Sequence, residues 1–465
     1  MRSTRFTALG LGVACALGVA FVSIGGDLTP PAGPVQPTGA VPLNAQDITF
    51  PHIITQPGSY ILTSNLTVPA DTTGIIIDAD DVNLDLNGFT VVGLGGLVGE
   101  GVRIEPGRVG GGVSGGMVRG FPAGGVVGPG AMCTEVRGVS AKANGAAGIH
   151  VGDEARVKDS SATGNVGDGI RTGARGVVEG AKAKGNGGVG VAVGRGARVA
   201  GATASGNTGA GVSAGDDSSV KDVVSDGNGG AGVSVGNGAK VAGAKAAGNA
   251  GAGVSAGDGA EIEDSSATDN DGPGVSTGIG SKIKGATAKG NKGGGISSLG
   301  GAIAGSTATE NEGYGFAGFG AAGFQGCYAG ANRGPGFLLE GSGGSVLDCV
   351  ATANVGHGIV TGANSLIRTN DCTGNLNPDD PASGIRIRFT GNRIDSNNCA
   401  DNEYGIGRDE EADAFNIILR NTARGNVILN YELGGNTHGP IVNVGGVGDI
   451  SLTPLADHPW ANFEF

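Results

Sequence analysis

The sequence predicts an all-β parallel β-helix solenoid whose repeat unit is a coil of about 21 residues. The first observation behind this is an asparagine that recurs at a constant spacing without a break. The second is a glycine four positions after each asparagine, followed at once by valine or isoleucine. A fixed period of this length indicates a stack of similar units rather than one globular core. The asparagines are Asn144, Asn165, Asn186, Asn207, Asn228, Asn249, Asn270 and Asn291.

The repeat that starts at Asn207 shows why each coil should consist of strands. Residues 209–214 alternate so that Ala210 and Val212 share one face, which is the two-residue period of a strand. A second strand is predicted around Val220, and a third where small residues stand 16 and 18 positions after the asparagine. A helix is excluded because each interior glycine costs about 1 kcal/mol. Each repeat therefore makes one coil of three strands and three turns.

Equivalent residues of successive coils should lie above one another, about 4.8 Å apart. Valine and isoleucine ladders then form a narrow dry interior, which alanines fill where the coil is thin. We interpret the asparagine ladder as structural, with amides bonded to each other and to the turns, rather than as the lining of a ligand groove. Glycines eight positions after the asparagine are predicted to adopt positive φ at a corner. They are Gly152, Gly173, Gly194, Gly215, Gly236, Gly257 and Gly278.

The composition excludes several classes of protein. The chain has 465 residues, of which 98 are glycine and only 16% are charged. The regular valine ladders argue against disorder, and glycine has no three-residue period, which excludes collagen. The formal net charge of -13 disfavours nucleic acid, so we expect no such partner.

Residues 1–26 have the features of a secretory signal peptide. Arg2 and Arg5 precede an apolar run, and small residues near Gly25 permit cleavage. We favour cleavage over lipidation at Cys15, and over an uncleaved anchor because the apolar run is marginal for a bilayer. The mature chain is therefore expected to lack a transmembrane segment, to be monomeric, and to be exported to the periplasm, the cell surface or the medium.

The rest of the chain divides by composition. Residues 27–46 are rich in proline and predict a flexible spacer. Residues 47–120 are predicted to form an N-terminal cap and the first coils, residues 121–430 the β-helix repeats, and residues 431–465 a C-terminal cap. We expect ordered structure to begin near Ile48 and to comprise about 15 coils at the strand spacing of a sheet.

Five cysteines follow the predicted signal peptide, and the last four fall on successive coils. Two of them take the place that alanine holds in the regular repeats, which should point inward. A reduced stack in the core is the simplest interpretation. Adjacent coils are also close enough for a disulfide, which an exported protein permits. The five are Cys133, Cys327, Cys349, Cys372 and Cys399.

The N-terminal coils carry a family resemblance. Asp-Asp-Val-Asn-Leu-Asp-Leu-Asn-Gly at residues 80–88, followed by Thr-Val-Val-Gly at residues 90–93, resembles the opening coils of bacterial secreted right-handed parallel β-helix repeat proteins. These include NosD-like proteins and the carbohydrate-binding and sugar-hydrolysis β-helix domains of the pectate-lyase-like fold. The resemblance covers residues 54–93 well, and later repeats match only as generic coils. It implies a right-handed solenoid and a link to polysaccharides, and it carries no catalytic residue onto this chain.

The predicted outer surface offers a neutral row. Enzymes of this fold need carboxylates or a base on adjacent coils, whereas the outward position six residues after each asparagine is mostly serine. The five serines supply hydroxyls but no acid or base, and we expect no catalytic role for the neighbouring His150 and Arg171. The row reads His150, Arg171, Ala192, Ser213, Ser234, Ser255, Ser276 and Ser297.

The best hypothesis for an enzymatic site lies at residues 356–388. Fragments that resemble polygalacturonase motifs occur there: Gly-His-Gly, neighbouring carboxylates able to act as acid and base, and Arg-Ile-Arg. The histidine precedes the acids, which reverses the family order, and Asn-Thr-Asp is absent from the sequence. The candidates are His357, Asp371, Asp379, Asp380, Arg386 and Arg388.

No cofactor or metal is expected. Asp216 and Asp258 stand two coils apart, about 10 Å at the strand spacing, which is too far to share one calcium ion. We therefore predict an exported, non-catalytic protein that binds polysaccharide or a cell-envelope glycan, or that serves as an envelope rod. The alternative is a polysaccharide lyase or glycoside hydrolase that acts on a long acidic glycan.

Overall fold

The computed structural model describes residues 39–412, 414–445 and 449–465. The predicted signal peptide and most of the predicted spacer lie outside these residues. Gly39–Phe465 is one compact unit, and each described strand except those at the C-terminal end of the stack pairs in parallel with its equivalent one coil later. The predicted all-β parallel solenoid is therefore confirmed.

The strands that follow the repeat asparagine form the first ladder, which contains eighteen described strands. Val212 pairs with Val191 on one side and with Val233 on the other, and this register is typical of the whole ladder. The strands are His52–Ile54, Ile75–Ile77, Glu100–Ile104, Gly124–Gly128, Ile149–Val151, Ile170–Thr172, Val191–Val193, Val212–Ala214, Val233–Val235, Val254–Ala256, Val275–Thr277, Ile296–Ser298, Phe316–Phe319, Phe337–Glu340, Ile359–Val360, Ser383–Ile387, Tyr404–Arg408 and Leu429–Tyr431.

The second ladder follows after one turn. Two of its strands, Gly112–Arg119 and Glu135–Lys142, are long enough to continue into the third ladder. Its other strands are Val41–Leu43, Gly58–Leu62, Val82–Asp85, Arg156–Lys158, Val177–Glu179, Arg198–Ala200, Ser219–Lys221, Lys240–Ala242, Glu261–Glu263, Ser281–Lys284, Gly301–Ala304, Gly323–Gln325, Ser345–Leu347, Leu366–Arg368, Arg393–Asp395, Ile417–Leu419 and Thr437–His438.

The third ladder completes each coil and leads back to the next asparagine. Its remaining strands are Leu66–Val68, Thr90–Gly93, Ser161–Thr163, Lys182–Lys184, Thr203–Ser205, Val224–Asp226, Lys245–Ala247, Ser266–Thr268, Thr287–Lys289, Thr307–Thr309, Tyr328–Gly330, Val350–Thr352, Asp371–Thr373, Asn398–Ala400, Thr422–Arg424, Ile441–Asn443 and Asn462–Glu464.

Helical structure is minimal in the described residues. It consists of two 3-10 turns, Glu410–Ala412 and Ile450–Leu452. No described helix is long and apolar enough to cross a membrane.

The stack differs from expectation in its start and its coil number. Val41–Leu43 already pairs with Tyr60–Leu62, so ordered structure begins before Ile48. The eighteen strands of the first ladder exceed the expected number of coils, because coils outside the regular stretch are hard to count from spacing. Ile76 pairs with Arg103, for example, which makes that coil longer than a regular repeat.

Apolar ladders fill the interior. Val212, Val233 and their equivalents are fully buried. Phe316 and Phe337 take the place of the valine in two later coils, where their rings stack with centroids 4.9 Å apart. Phe324 packs edge-on against Phe316 at 5.8 Å. These three aromatic side chains are fully buried and therefore belong to the core.

The asparagine ladder is a chain of buried amides. The Nδ2 of Asn228 donates to Oδ1 of Asn249 at 2.9 Å and to the carbonyl of Ala204 at 3.2 Å. The backbone N–H of Asn228 donates to the same Oδ1 at 3.0 Å. The pattern repeats from Asn144 to Asn426, well beyond the regular repeats. Each amide thus satisfies its own groups and one backbone N–H of the preceding coil.

Two further asparagine ladders line the other turns near the C-terminal end. In one, Asn370, Asn397 and Asn421 are linked in sequence by amide hydrogen bonds at 2.9 Å. In the other, Asn392 accepts the backbone N–H of Ser365, and Asn416 bonds to Asn436 at 2.9 Å. All three turns of the last coils are therefore held by buried amides.

The prediction for the glycines at offset eight is wrong. Positive φ occurs instead at offsets 10, 15 and 20, as in Asp217, Asp222 and Gly227. The glycine at offset eight is needed for space, since a Cβ on Gly194 would lie 2.6 Å from the carbonyl carbon of Gly173 in the preceding coil. Close stacking of turns, rather than corner geometry, thus explains this glycine.

The C-terminal tail returns to close the stack. Asn462–Glu464 lies between Thr422–Arg424 and Ile441–Asn443, and the Oδ1 of Asn462 accepts the backbone N–H of Asn421 at 2.9 Å. The hydroxyl of Tyr431 lies 2.8 Å from the carbonyl oxygen of Asn421. The tail thereby supplies the last step of an asparagine ladder.

A buried carboxylate holds this end together. Asp395 is 1% exposed and accepts hydrogen bonds from Arg420, Arg393 and Ser396 at 2.7, 2.8 and 2.9 Å. Arg420 also lies over the ring of Trp460, 5.7 Å from its centroid. Burial alone would raise the pKa of Asp395, but the hydrogen bonds from Arg420, Arg393 and Ser396 lower it to about 2.

Replacement of one ladder amide should be costly. Asn249→Ala leaves the backbone N–H of Asn228 unpaired and removes one hydrogen bond each from Nδ2 of Asn228, Oδ1 of Asn270 and the carbonyl of Ser225. We expect the free energy of unfolding to fall by about 3 kcal/mol, since each abandoned buried group costs about 1–3 kcal/mol. Asn237→Ala is the matched control, because Asn237 is exposed and bonds only to neighbouring turns. Equal losses of stability in the two variants, measured by denaturant unfolding, would contradict the ladder's role.

Asp395→Asn should lower the free energy of unfolding by about 2 kcal/mol at neutral pH. The folded pKa of about 2 lies below the ordinary value of 3.8, so the contribution is present above about pH 4. It is lost as the pH falls from about 4 to about 2. Denaturant unfolding across this window should show a steeper loss in the natural chain than in the variant. The same pH dependence in both proteins would refute this assignment.

Candidate functional site

The outward position of the first ladder, six residues after the repeat asparagine, forms one row, which is half-buried at Ser213 to Ser276 and buried at Ser297, Ala317 and Val360. Register pairing places each member directly beside its equivalent in the next coil. The row reads His150, Arg171, Ala192, Ser213, Ser234, Ser255, Ser276, Ser297, Ala317, Leu338, Val360 and Arg386. We call its five consecutive serines, Ser213 to Ser297, the serine face.

The serine face is flanked by concave surface. A depression of about 330 Å³ lies at its N-terminal end, lined by Arg171, Asp168 and Ser213. A second, of about 410 Å³, lies at the other end and is lined by Ser276, Ser297 and aromatic side chains. Concave surface with a few placed polar groups is the usual form of a ligand site. The face therefore has space above it for an elongated ligand.

Tyr314 is the aromatic side chain that borders the second depression, together with Phe319. Its ring lies across Gly294, where a Cβ would come within 2.8 Å of the ring and where φ is +116°. Glycine at that position lets the half-buried ring lie flat against the coil. Aromatic rings in this position can pack against the apolar face of a sugar.

A charged cluster lies beyond the serine face. Arg386 is fixed by Asp409, with Nε 2.6 Å from Oδ1, and both side chains are about one-quarter exposed. Arg388 lies 3.9 Å from both Glu340 and Asp409, and its guanidinium is 5.5 Å from the ring centroid of Phe389. A depression of about 570 Å³ borders these residues and is lined by Glu340, Arg388 and Phe389.

His357 belongs to this cluster, but its ring is a hydrogen-bond acceptor on one side. Its Nδ1 accepts the backbone N–H of Ser383 at 2.9 Å, which places the proton of the neutral ring on Nε2. Burial, followed by the positive charge of Arg386, lowers the pKa of His357 to about 4, although Asp380 and Asp409 act in the opposite direction. At neutral pH the ring therefore serves as a donor and not as a base.

The other sequence candidates are only partly gathered here. Asp380 is close enough to affect the ring of His357, and Asp379 stands beside it in the loop 377–382, whose residues 378–381 are exposed. That loop is tied down by Glu403, which accepts the backbone N–H of Asn377 at 3.1 Å. Asp371 lies apart in the third ladder, where it accepts hydrogen bonds from Thr373 and Asn398. The six candidates thus do not form one constellation.

Sequence reasoning did not find several residues of the cluster. Asp409 and Glu340 hold the two arginines, and Ser383 has a buried hydroxyl with no hydrogen-bond partner among the described residues. The repeat pattern could have identified Ser383, because it directly precedes a repeat glycine, as His357 and Tyr314 do. Asp409 offers no such signal, since the coils around it differ in length.

The described residues contain no group of three histidine, cysteine, aspartate or glutamate side chains able to hold a metal ion. The aspartates considered for calcium serve the turns. Asp216 accepts the backbone N–H of Asn237 at 2.8 Å, and Asp258 accepts that of Ile279 at 2.7 Å. Each of these carboxylates therefore supports the turn of the following coil.

The sequence matches the profile of one protein family, which is described as "right handed beta helix region". The matches cover residues 124–260 and 234–373, and together they span more than half of the chain. A comparison with curated proteins finds no match.

Solved structures share the fold at low identity. The A-module of mannuronan C-5 epimerase AlgE4 from Azotobacter vinelandii is 14% identical over 61% of this chain and 87% of its own, with a TM-score of 0.32. The catalytic domain of Agl-KA is 10% identical over 68% of this chain and 69% of its own, with a TM-score of 0.43. The periplasmic alginate epimerase AlgG is 12% identical over 84% of each chain, with a TM-score of 0.25. These values are too low to carry an activity or a residue role to this chain.

We expect the imidazole of His357 to titrate near pH 4 and to be neutral at physiological pH. Side-chain NMR across the acid range measures this, and His357→Gln identifies the resonance by its disappearance. A pKa at or above the ordinary value of 6.5 would show that the ring is neither buried nor bonded to Ser383 as described.

Proposed function

The chain belongs to the right-handed β-helix family, and on that basis we propose that it is a non-catalytic polysaccharide-binding protein. In this proposal an extended glycan lies along the serine face, parallel to the axis of the stack. We also propose that the chain is exported, as its N-terminal sequence predicts, and acts as a monomer on an envelope or extracellular glycan.

The observation that carries the proposal is the register of the serines. Five consecutive coils present one hydroxyl each at the same outward position. Each coil advances by about 4.8 Å, which is close to the length of one sugar ring in an extended chain. A hydroxyl both donates and accepts a hydrogen bond, so it matches the hydroxyl groups of a neutral sugar without selecting a charge.

The C-terminal end of the serine face supports the same proposal. Tyr314 and Phe319 border the depression beside Ser276 and Ser297, where a ring can stack on a sugar. Ser297 is only 6% exposed, which indicates that this end is recessed rather than flat. A ligand there would contact both hydroxyls and aromatic carbon.

A non-catalytic role is supported by the chemistry of the row. Between Ala192 and Val360 the outward position carries no ionisable side chain, so no acid or base stands over a bound glycosidic bond. At the C-terminal end the Nδ1 lone pair of His357 is occupied by the backbone N–H of Ser383, so the proton of the neutral ring is on Nε2 and no free lone pair is left to act as a base.

The alternative is a polysaccharide lyase or glycoside hydrolase for a long acidic glycan, with its site at residues 356–388. The observation that favours it is Arg388, which lines a depression of about 570 Å³, together with Arg386, which shares the partner Asp409 with it. Guanidinium groups bind carboxylates well. In that case the carboxylates Asp380 and Asp409 would have to supply the acid and base.

The proposal is tested by removing hydroxyls without adding bulk. Replacing Ser234, Ser255 and Ser276 together by alanine should weaken glycan binding by at least about tenfold, because each lost hydrogen bond is worth about 1 kcal/mol. The control replaces Thr203, Ser266 and Thr287 by alanine on the third ladder, which should leave affinity unchanged. Co-sedimentation and calorimetry with a panel of neutral and acidic glycans provide the measurement.

The same preparation decides between binding and catalysis. Incubation with each glycan should release neither unsaturated sugars nor new reducing ends. Product formation that disappears in Asp380→Asn or His357→Gln would overturn the non-catalytic proposal in favour of the alternative. Equal weakening of binding by the serine set and by the control set would reject the serine face as the binding surface.

A further inference from the structure

We propose that the chain contains two disulfide sites between adjacent coils, one formed by Cys327 with Cys349 and one by Cys372 with Cys399. The pairs stand one after the other in the part of the solenoid that carries the charged cluster. The four side chains are thiols in the structure, and each is buried. The proposal concerns their covalent modification and does not depend on the glycan-binding function.

The first pair is defined by strand register on both sides. Phe324 pairs with Val346, and Tyr328 pairs with Val350, so Cys327 lies directly beside Cys349 in the next coil. The backbone N–H of Cys327 donates to the sulfur of Cys349 at 3.3 Å. Equivalent Cα atoms of adjacent strands are about 4.8 Å apart, which lies within the range that a disulfide spans, about 4.4–6.8 Å.

The second pair is a direct register pair. Cys372 and Cys399 are opposite residues of the parallel strands Asp371–Thr373 and Asn398–Ala400. Both side chains point inward and are fully buried. The same Cα separation therefore applies to them, although the chain between them is longer than in a regular coil.

Strand register also excludes a disulfide between Cys349 and Cys372. Cys349 and Cys372 are on adjacent coils, but the residue opposite Cys372 is Ala351. Cys349 is opposite Asn370, whose Oδ1 accepts its backbone N–H at 2.9 Å. Cys133 is exposed in a distant coil beside Glu154. The geometry thus specifies two bridges and their pairing.

The reaction is a two-electron oxidation for each pair. Two cysteine thiols react with a low-molecular-weight disulfide such as oxidised glutathione by two successive exchanges. One protein S–S bond forms, the donor's S–S bond breaks, and the two thiol protons end on the two released donor thiols. An oxidising compartment, as expected for an exported chain, supplies such a donor.

We expect the two disulfides to form during folding and not in the folded chain. A hydrogen bond with Cys399, together with burial, raises the pKa of Cys372 well above its ordinary value, and its thiol has no exposed surface. Exchange requires an accessible thiolate. The bridges should therefore form while the coils are still closing, and should resist reductants afterwards.

The disulfide pairing can be read from a tryptic digest, because trypsin separates the four cysteines into four peptides. These are residues 293–333, 334–368, 369–386 and 394–408. The full chain is unfolded in reductant, refolded with oxidised and reduced glutathione, alkylated in denaturant without reductant so that buried free thiols react, and digested. We expect a cross-link of 293–333 to 334–368 and another of 369–386 to 394–408. Four of the six cysteines should become inaccessible to the alkylating reagent.

Single alanine variants provide matched controls that should still fold. Alanine already occupies the position of Cys349 at Ala244, and the position of Cys399 at Ala423, one coil later. Cys349→Ala should abolish the first cross-link and keep the second, and Cys399→Ala should do the reverse. Full alkylation of all four cysteines in correctly refolded protein, or a dominant link of 334–368 to 369–386, would overturn the proposal.

Discussion

The buried amide ladder is the interaction on which the rest of the solenoid depends. The coils are thin, and their turns bring backbone groups into an interior that water does not reach. An unpaired buried amide costs about 1–3 kcal/mol. Repeated in every coil, that cost would exceed the stabilisation from a thin core of valine and alanine. Asparagine in register removes that cost, because each Oδ1 accepts two hydrogen bonds and each Nδ2 donates two.

This constraint explains which parts of the chain are regular and which are free to vary. The coil between Asn375 and Asn402 is longer than a regular repeat, yet the two amides bond at 3.0 Å because the extra residues project as the loop 377–382. The glycine at offset four follows from the same packing, since a Cβ on Gly211 would lie 2.8 Å from Nδ2 of Asn228. Outward positions are not subject to this constraint, so one of them can carry a row of serines.

The predictable part of the molecule is the part that repeats. The constant spacing of the asparagines led directly to parallel coils, inward valines and the serine row, because these depend only on register. The asparagine ladders through Asn397 and Asn416 escaped prediction because coils longer than the regular repeat hide their spacing. The ion pair of Arg386 with Asp409 was missed for the same reason, since it joins residues across an irregular coil. The positive φ positions were assigned to the wrong glycines because stacking contacts, and not corner geometry, select the glycine at offset eight.

The central claim is that a glycan lies along the serine face of a scaffold held by buried amides. A crystal structure of the chain soaked with an oligosaccharide from the best-binding glycan tests it most directly. The account predicts sugar density over Ser234, Ser255 and Ser276, with its rings following the stack axis toward Tyr314. Density confined to the depression beside Arg388 and Phe389, or to the second or third ladder, would contradict it.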